Sequence, residues 1–80
     1  MTAIANGATH EYRRGYLPQK SKHHFRITGS VTIQPLDSEP NGNPQPLDIS
    51  DEDYMYEKKG IVGFDITANS AGASFFLVSD

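Results

Sequence analysis

The sequence predicts a small domain of the α+β class, mainly antiparallel β, with the element order β-β-α-β-β and one short helix. Two observations predict the strands: apolar and polar residues alternate with period 2 over 24–34 and again over 61–68. A third predicts the helix, because residues 50–60 begin with an N-cap residue and end with two lysines and a glycine. An all-β fold of five strands is the alternative if residues 50–60 are extended.

The chain is long enough for one domain only. Its 80 residues predict a single small β-rich domain over 9–80, preceded by a flexible tail over 1–8 that is small, polar and without a period. Only 36% of the residues are apolar, and a chain this short buries about 60–65% of the surface that its unfolded form exposes. We therefore expect either marginal stability or extra burial against a partner, including a second copy in a homodimer.

The first two predicted strands lie in the first half of the chain. One runs over 9–16, where Tyr12, Arg14 and Tyr16 share a face of the extended backbone. The other runs over 24–34 and is rich in β-branched residues. Gly29 interrupts the apolar row of this second strand, which predicts a bulge, a bend or the close approach of another backbone.

The middle of the chain holds a predicted loop and the predicted helix. Residues 35–46 contain four prolines and an Asn-Gly pair, so they predict a long Pro-rich loop. In the helix over 50–60, Ser50 is the N-cap and Gly60 suits the left-handed exit. The five-strand alternative instead places residues 53–58 in a strand, with Tyr54 and Tyr56 on one face.

Two strands are predicted at the end of the chain. Residues 61–68 alternate, with Val62, Phe64, Ile66 and Ala68 inward, and residues 73–78 are apolar on both faces, which predicts a central strand covered on both sides. We expect the two segments to form a hairpin across a turn at 69–72. The predicted core residues are Phe25, Ile27, Val31, Ile33, Phe64, Ile66, Phe75 and Leu77.

The chemistry-bearing residues do not match the motif of an enzyme. The chain has no Cys, and it has neither a nucleophile elbow nor a phosphate-binding glycine loop. His23 and His24 are neighbours on a strand, so their side chains should point to opposite faces and, with His10, should not converge on a metal. The acidic run after Asp48 lacks the Gly and Glu that an EF-hand loop requires. We expect no catalytic residue, no cofactor and no metal ion.

Charge is distributed unevenly along the chain. Residues 1–36 carry five basic residues and one acid, a net charge of +4, whereas residues 37–80 carry nine acids and two lysines, a net charge of −7. Such asymmetry is explained either by a charged partner or by neutralisation of one half by the other in the fold.

The acidic half provides the first functional hypothesis, a non-catalytic protein-binding module such as a small inhibitor or accessory protein. Between residues 37 and 57 there are seven acids and no base. Carboxylates that complement a basic partner surface speed encounter, and aromatic side chains supply buried anchors. A basic partner surface is typical of nucleic-acid-handling machinery. The predicted partner-binding residues are Asp48, Asp51, Glu52, Asp53, Tyr54 and Tyr56.

The basic half provides the first alternative, a small nucleic-acid-binding domain. Its residues 12–26 mix cations with aromatic rings, a combination that neutralises phosphates and stacks on bases. The predicted nucleic-acid-binding residues are Tyr12, Arg13, Arg14, Tyr16, Lys22 and Arg26. A second alternative is a structural or virion assembly subunit that uses a sheet edge.

The compartment and the general style of the chain follow from composition. Small secreted domains usually carry disulfides, and this chain has no Cys, no apolar leader and no stretch of about 20 apolar residues. We therefore expect a cytoplasmic protein. In brevity, acidity and lack of Cys it resembles small phage-encoded accessory proteins and inhibitors, although no residue motif carries this resemblance.

Overall fold

The fold consists of two four-stranded antiparallel sheets packed face to face. A computed structural model describes residues 2–13, 22–39 and 41–79, with side chains as far as Leu77. Eight strands are present in these ranges: β1 (Thr2–Ala3), β2 (Thr9–Arg13), β3 (Lys22–Thr28), β4 (Ser30–Asp37), β5 (Leu47–Ser50), β6 (Asp53–Glu57), β7 (Ile61–Ala68) and β8 (Ser74–Ser79). Sheet A has the strand order β1-β8-β3-β6, and sheet B has the order β2-β7-β4-β5. The protein is therefore mainly antiparallel β, as the sequence predicts.

The core lies between the two sheets. Phe25 of sheet A and Phe64 of sheet B meet edge to face, with ring centroids 4.8 Å apart. Seven of the eight predicted core residues are buried, and the eighth, Leu77, is partly buried against them. The period-2 pattern therefore identified the inward faces of β3 and β4 correctly, and that of β7 from Phe64 onward. The core also includes Ile4, Ile49 and Ile61, which the prediction omitted.

A bulge explains why Ile61 was missed. The β4–β7 register pairs Leu36 with Gly63 but Asp37 with Ile61, so Val62 is an extra residue in β7. An extra residue shifts the alternation of side chains by one position. Ile61 is consequently buried and Val62 only half-buried, the reverse of the predicted pattern.

The predicted helix over 50–60 is wrong, and no helix is present in the described residues. Ser50 ends β5 and Asp53 begins β6, with the chain bending between them. Extended pairing places Ile49 in the core and Tyr54 and Tyr56 against it. That burial outweighs the local end signals, because helix propensity is a weak preference that tertiary packing overrides. The all-β alternative is correct in class, although it has too few strands.

The predicted hairpin of the last two strands is also not formed. β7 lies in sheet B and β8 in sheet A, and residues 69–73 carry the chain from one sheet to the other. β8 is central, as predicted, since it pairs with β1 and β3. Its outward residue Phe76 is nevertheless 44% exposed, so the expectation that β8 is covered on both faces is not met.

The beginning of the chain and the start of the Pro-rich segment both contribute strands to the sheets. Thr2–Ala3 pairs with β8, and Ile4 is only 6% exposed, so this part of the predicted tail is packed on the domain. β4 continues to Asp37, so Pro35 lies in a strand. Asn69 donates its amide to the Ser30 carbonyl of β4. In the hydrogen-bond pattern that this contact fixes, the Pro35 nitrogen points away from β7. It points to the side of β4 where β5 pairs only with residues 30–33, so the proline removes no hydrogen bond from the sheet.

A bent two-stranded ribbon connects the sheets. The first segment of the ribbon is β3, which continues into β4 at Gly29, and the second is β5, which continues into β6 at residues 51–52. β3 and β6 pair in sheet A, and β4 and β5 pair in sheet B. Gly29 has φ +78, and a Cβ there would lie 2.9 Å from Ala73 Cα. The predicted bend and close backbone approach at Gly29 are therefore both confirmed. Asp51, with φ +45, lies at the bend between β5 and β6.

Candidate protein-binding site

The ribbon places five of the ten acidic residues along one exposed edge of the molecule. β5 and β6 end the strand order of sheets B and A, respectively. Between residues 48 and 57 the ribbon carries five acids and no base. All five are exposed, and we call them the acidic edge: Asp48, Asp51, Glu52, Asp53 and Glu57. The acidic run therefore forms an extended edge and not a helical surface.

The members of the acidic edge point in different directions. Asp48 lies on the outer side of sheet B, where it accepts a hydrogen bond from Thr32 Oγ1 at 2.7 Å. Asp51 sits at the corner and accepts a hydrogen bond from the Gly29 amide at 2.8 Å. Asp53 lies on the outer side of sheet A, 3.2 Å from Arg26 Nε. The predicted partner-binding acids thus follow a bent path and do not form one flat patch.

The two predicted aromatic anchors face the interior. Tyr54 and Tyr56 are half-buried and pack against the core, and the Tyr56 ring lies edge to face with Phe64, 6.1 Å between centroids. Burial, with smaller contributions from Tyr54 and Asp37, raises the pKa of Tyr56 above its usual value near 10. Because these rings stabilise the core, they are partly unavailable to a partner.

Two exposed apolar side chains that the sequence analysis did not select lie on the outer face of sheet A. Met55 is 45% exposed and Phe76 is 44% exposed. Both point outward because they alternate with inward-facing neighbours on β6 and β8. Met55 could have been found from its place between Tyr54 and Tyr56. Phe76 could not, because an apolar pair such as Phe75-Phe76 does not reveal which face is covered.

These apolar residues are arranged in rows with charged residues of the neighbouring strands. One row across sheet A runs Phe76–Arg26–Asp53, and the next pairs His24 with Met55. His24 Nε2 lies 3.9 Å from Asp53 Oδ2. We call this outward surface the sheet A face; its residues are His24, Arg26, Asp53, Met55 and Phe76. It combines an aromatic ring, a methionine and an arginine, the side chains that are enriched at protein interfaces.

The residues predicted to bind nucleic acid are not brought together among those described. Arg13 lies on sheet B, 2.8 Å from Asp65 and 3.5 Å from Glu11. Arg26 lies on sheet A and is paired with Asp53. Lys22 is exposed on β3, opposite Glu57. Tyr12 is half-buried against the core. Arg14 and Tyr16 are outside the described residues.

Ion pairs between Arg13 and Asp65, and between Arg26 and Asp53, join the basic and acidic halves of the chain.

A further acidic residue, Asp37, organises the start of the 38–46 loop. Its carboxylate accepts the Glu39 amide at 2.9 Å and lies 3.1 Å from Lys58 Nζ, while its own amide donates to Asn43 Oδ1 at 2.8 Å. The Glu39 amide, followed by Lys58, lowers the pKa of Asp37 below 3.8. The partners of its carboxylate belong to the loop and to the turn before β7, which indicates a structural role.

Two of the three histidines, His10 and His23, pack against aromatic rings. His23 is fully buried and its ring lies 5.1 Å from that of Phe64, whereas His24 points outward, so the two diverge as expected. The His10 ring packs 5.1 Å from Phe75. Within ranges 2–13, 22–39 and 41–79, no three His, Asp or Glu residues are grouped closely enough to hold a metal ion. The same ranges enclose no pocket and contain no helix that could cross a membrane.

Comparison with known proteins does not assign the chain to a family. No family model, no curated protein and no solved structure matches it.

Proposed function

We propose that this chain is a non-catalytic protein-binding module that docks on a basic partner surface through the sheet A face and the adjoining acidic edge. The observation that carries the proposal is the exposure of Phe76, which is 44% accessible on a central strand beside Arg26 and on the same face as Met55. A domain with few apolar residues gains stability by burying such side chains. A partner that covers them would supply that burial, and exposed apolar side chains rimmed by polar residues are typical of interaction sites.

The charge of the surrounding residues supports the choice of partner. Asp51, Glu52, Asp53 and Glu57 adjoin Met55 along the ribbon and are exposed, and the chain has a net charge of −3. Charges at the rim of an interface mainly steer the encounter, while aromatic and Arg residues at its centre resist dissociation. Phe76 with Met55 would form the centre, and the acidic edge would form the rim.

Inhibition of the partner by occupation of its surface is the simplest mode of action for such a module, and we extend the proposal to a cytoplasmic setting because the domain has no Cys. Nucleic-acid-handling machinery is the partner class that offers the most extensive basic surfaces.

The proposal is tested by comparing variants as bait in nuclease-treated lysate of the native host. Phe76→Ser removes the proposed centre, and Glu52→Lys reverses one rim charge. Glu39→Lys makes the same charge change on an exposed residue of the 38–46 loop, away from the sheet A face, and is the matched control. We expect capture of a given partner to be lost with Phe76→Ser, weakened with Glu52→Lys and unchanged with Glu39→Lys.

The kinetics of the captured pair distinguish the roles of the two regions. Glu52→Lys should mainly slow association, and the wild-type association rate should fall as salt is added, because exposed charges are screened beyond about 8–10 Å at physiological ionic strength. Phe76→Ser should mainly speed dissociation. If all three variants capture the partner as well as the wild type, the sheet A face is not the docking surface. A partner that is captured from untreated lysate but not from nuclease-treated lysate would favour nucleic-acid binding.

A further inference from the structure

The outer edge of β6 presents main-chain groups that are not used by β3. The amide of Ile27 donates to the Glu52 carbonyl, which fixes the phase of the β3–β6 ladder. In an antiparallel pair, hydrogen-bonded positions alternate with positions whose main-chain groups point away. Tyr54 and Tyr56 therefore bond to β3, and the N–H and C=O groups of Asp53, Met55 and Glu57 point outward from the edge.

The side chains of the same three residues are exposed and alternate in character. Asp53, Met55 and Glu57 give an acid, an apolar residue and an acid on the outer face. Each stands at the end of a cross-strand row: Arg26 is opposite Asp53, His24 is opposite Met55 and Lys22 is opposite Glu57. Opposite charges in directly facing positions stabilise a sheet. A strand added beyond β6 would therefore fit best with a base, an apolar residue and a base opposite Asp53, Met55 and Glu57.

We propose that β6 is a strand-addition site for an extended basic segment of a partner, with basic residues opposite Asp53 and Glu57 and an apolar residue opposite Met55. This inference rests on the proposed function and specifies the partner: a strand with the pattern basic-x-apolar-x-basic, antiparallel to β6. Main-chain hydrogen bonds would hold the strand, and alternate side chains would give specificity, as in other cases of β-augmentation.

A second copy of this chain fits the edge less well. Antiparallel self-pairing centred on Met55 places the two methionines opposite each other. It also places Asp53 opposite Glu57 of the second copy, and this like-charge contact occurs twice in the dimer. Like charges in directly facing positions destabilise a sheet, and charged residues on an edge strand are a recognised protection against self-pairing. Charge complementarity therefore selects a basic strand over a second copy.

The test uses the full chain and a capped peptide, acetyl-Thr-Lys-Thr-Val-Thr-Lys-Thr-amide, in a nuclear magnetic resonance titration. We expect saturable shifts centred on β6 and slower hydrogen exchange at the amides of Asp53, Met55 and Glu57. The Tyr54 amide, which already bonds to β3, should change little. The same peptide with Glu in place of both Lys should not bind.

Methylation of single peptide nitrogens separates strand addition from simple charge attraction. The central Val faces Met55 in a hydrogen-bonded pair, so its N-methylation should weaken binding about tenfold, as loss of one or more main-chain hydrogen bonds implies. N-methylation of a Thr next to it alters the peptide equally, but its N–H points away from β6, so binding should stay near that of the parent peptide. Asp53→Asn together with Glu57→Gln should weaken binding of the parent peptide and flatten its salt dependence.

The outcomes distinguish failure of this inference from failure of the proposed function. Strand addition is overturned if the peptide does not bind at millimolar concentration, or if both methylated peptides bind alike. Partner capture that still depends on Phe76 would then leave the proposed function standing. Conversely, peptide addition at β6 together with capture that ignores Phe76 would overturn docking through the sheet A face. A concentration-dependent dimer that Met55→Lys dissociates would show that the edge is occupied by a second copy.

Discussion

The main-chain amide of Gly29 donates a hydrogen bond to Oδ1 of Asp51 at 2.8 Å, and the main-chain amide of Asp51 donates to the Gly29 carbonyl at 3.1 Å. Both residues have positive φ, +78 for Gly29 and +45 for Asp51. The two segments of the ribbon therefore bend between the sheets at Gly29 and Asp51, which are hydrogen-bonded to each other. Asp51 thus bonds both ways to the opposite bend, and it is also a member of the acidic edge.

Gly29→Ala should destabilise the protein more than an ordinary glycine substitution at positive φ. The left-handed conformation costs a residue with a Cβ about 1–2 kcal/mol, and overpacking against the Ala73 backbone costs about 1–3 kcal/mol more. Gly72→Ala is the matched control, because Gly72 has the same φ of +78 with nothing within 4 Å of its Cβ position. Urea unfolding measures both. Equal losses would show that the approach of Ala73 has no energetic consequence.

Asp51→Asn should preserve stability to within about 0.5 kcal/mol, because Asn keeps the side-chain acceptor for Gly29 and tolerates the left-handed region. Asp51→Ala should cost about 2 kcal/mol, since it removes a hydrogen bond and leaves a Cβ residue at positive φ. Thermal or urea unfolding separates the two variants. Asp51→Asn is consequently the appropriate variant for measuring the effect of this charge on partner association. If Ala were tolerated as well as Asn, the side-chain bond would not support the bend.

Phe64→Ala should cost about 3–5 kcal/mol, much of the stability that a small domain has. Phe64 is fully buried and its ring contacts Phe25, His23 and Tyr56. Phe76→Ala makes the same chemical change on the exposed outer face, and we expect a loss below about 1 kcal/mol because surface substitutions are usually mild. Melting temperatures compare them directly. A large loss for Phe76→Ala would mean that Phe76 serves the fold and not a partner.

Asp37→Asn should reduce stability at neutral pH but not in strong acid. The folded-state pKa of Asp37 lies below its unfolded value near 3.8, because the Glu39 amide and Lys58 favour the carboxylate. A lowered folded pKa contributes stability that is fully present above the unfolded pKa and is lost as pH falls through the folded pKa. The difference between wild type and variant should therefore be constant above about pH 5 and should shrink as pH falls below 3.8. Urea unfolding at several pH values measures the difference, and carbon-detected titration of the Asp37 carboxyl gives its pKa. A carboxyl that titrates at or above 3.8 would contradict the interpretation.

The local pattern of the sequence predicted extended structure over 24–34 and 61–68 but did not predict which strands pair. Alternation identified the inward residues of β3 and β4, and those of β7 from Phe64 onward, because every second residue of a half-buried strand is apolar. It carries no information about which sheet a strand enters. β7 and β8 are close in sequence and separated by turn residues, and both a hairpin and a crossover between sheets satisfy that pattern. The helix error has a similar origin: Ser50 and Gly60 are good helix ends, yet Ile49 and Tyr54 find their burial in an extended chain.

The candidate site was predicted only in its charge. The exposed acids of residues 48–57 were apparent from composition, since carboxylates are rarely buried without a partner. The outward apolar residues were not, because Met55 and Phe76 are the same residue types that fill cores. Tyr54 and Tyr56 were selected as anchors for their chemistry, but the sheet turns them inward. The pairing of Arg26 with Asp53 likewise depends on a register that no single strand specifies.

The bent ribbon also determines how the molecule comes apart. β3 continues directly into β4, and β5 continues into β6 through a two-residue bend, so each of these two segments contributes to both sheets. We therefore expect that neither sheet detaches while the other stays intact. Partial opening should be confined to the short ends, such as β1, while the rest is lost in a single cooperative step. The folding of each sheet thereby depends on the folding of the other. A ligand that protects β6 should consequently slow amide hydrogen exchange in β4 and β5 of sheet B.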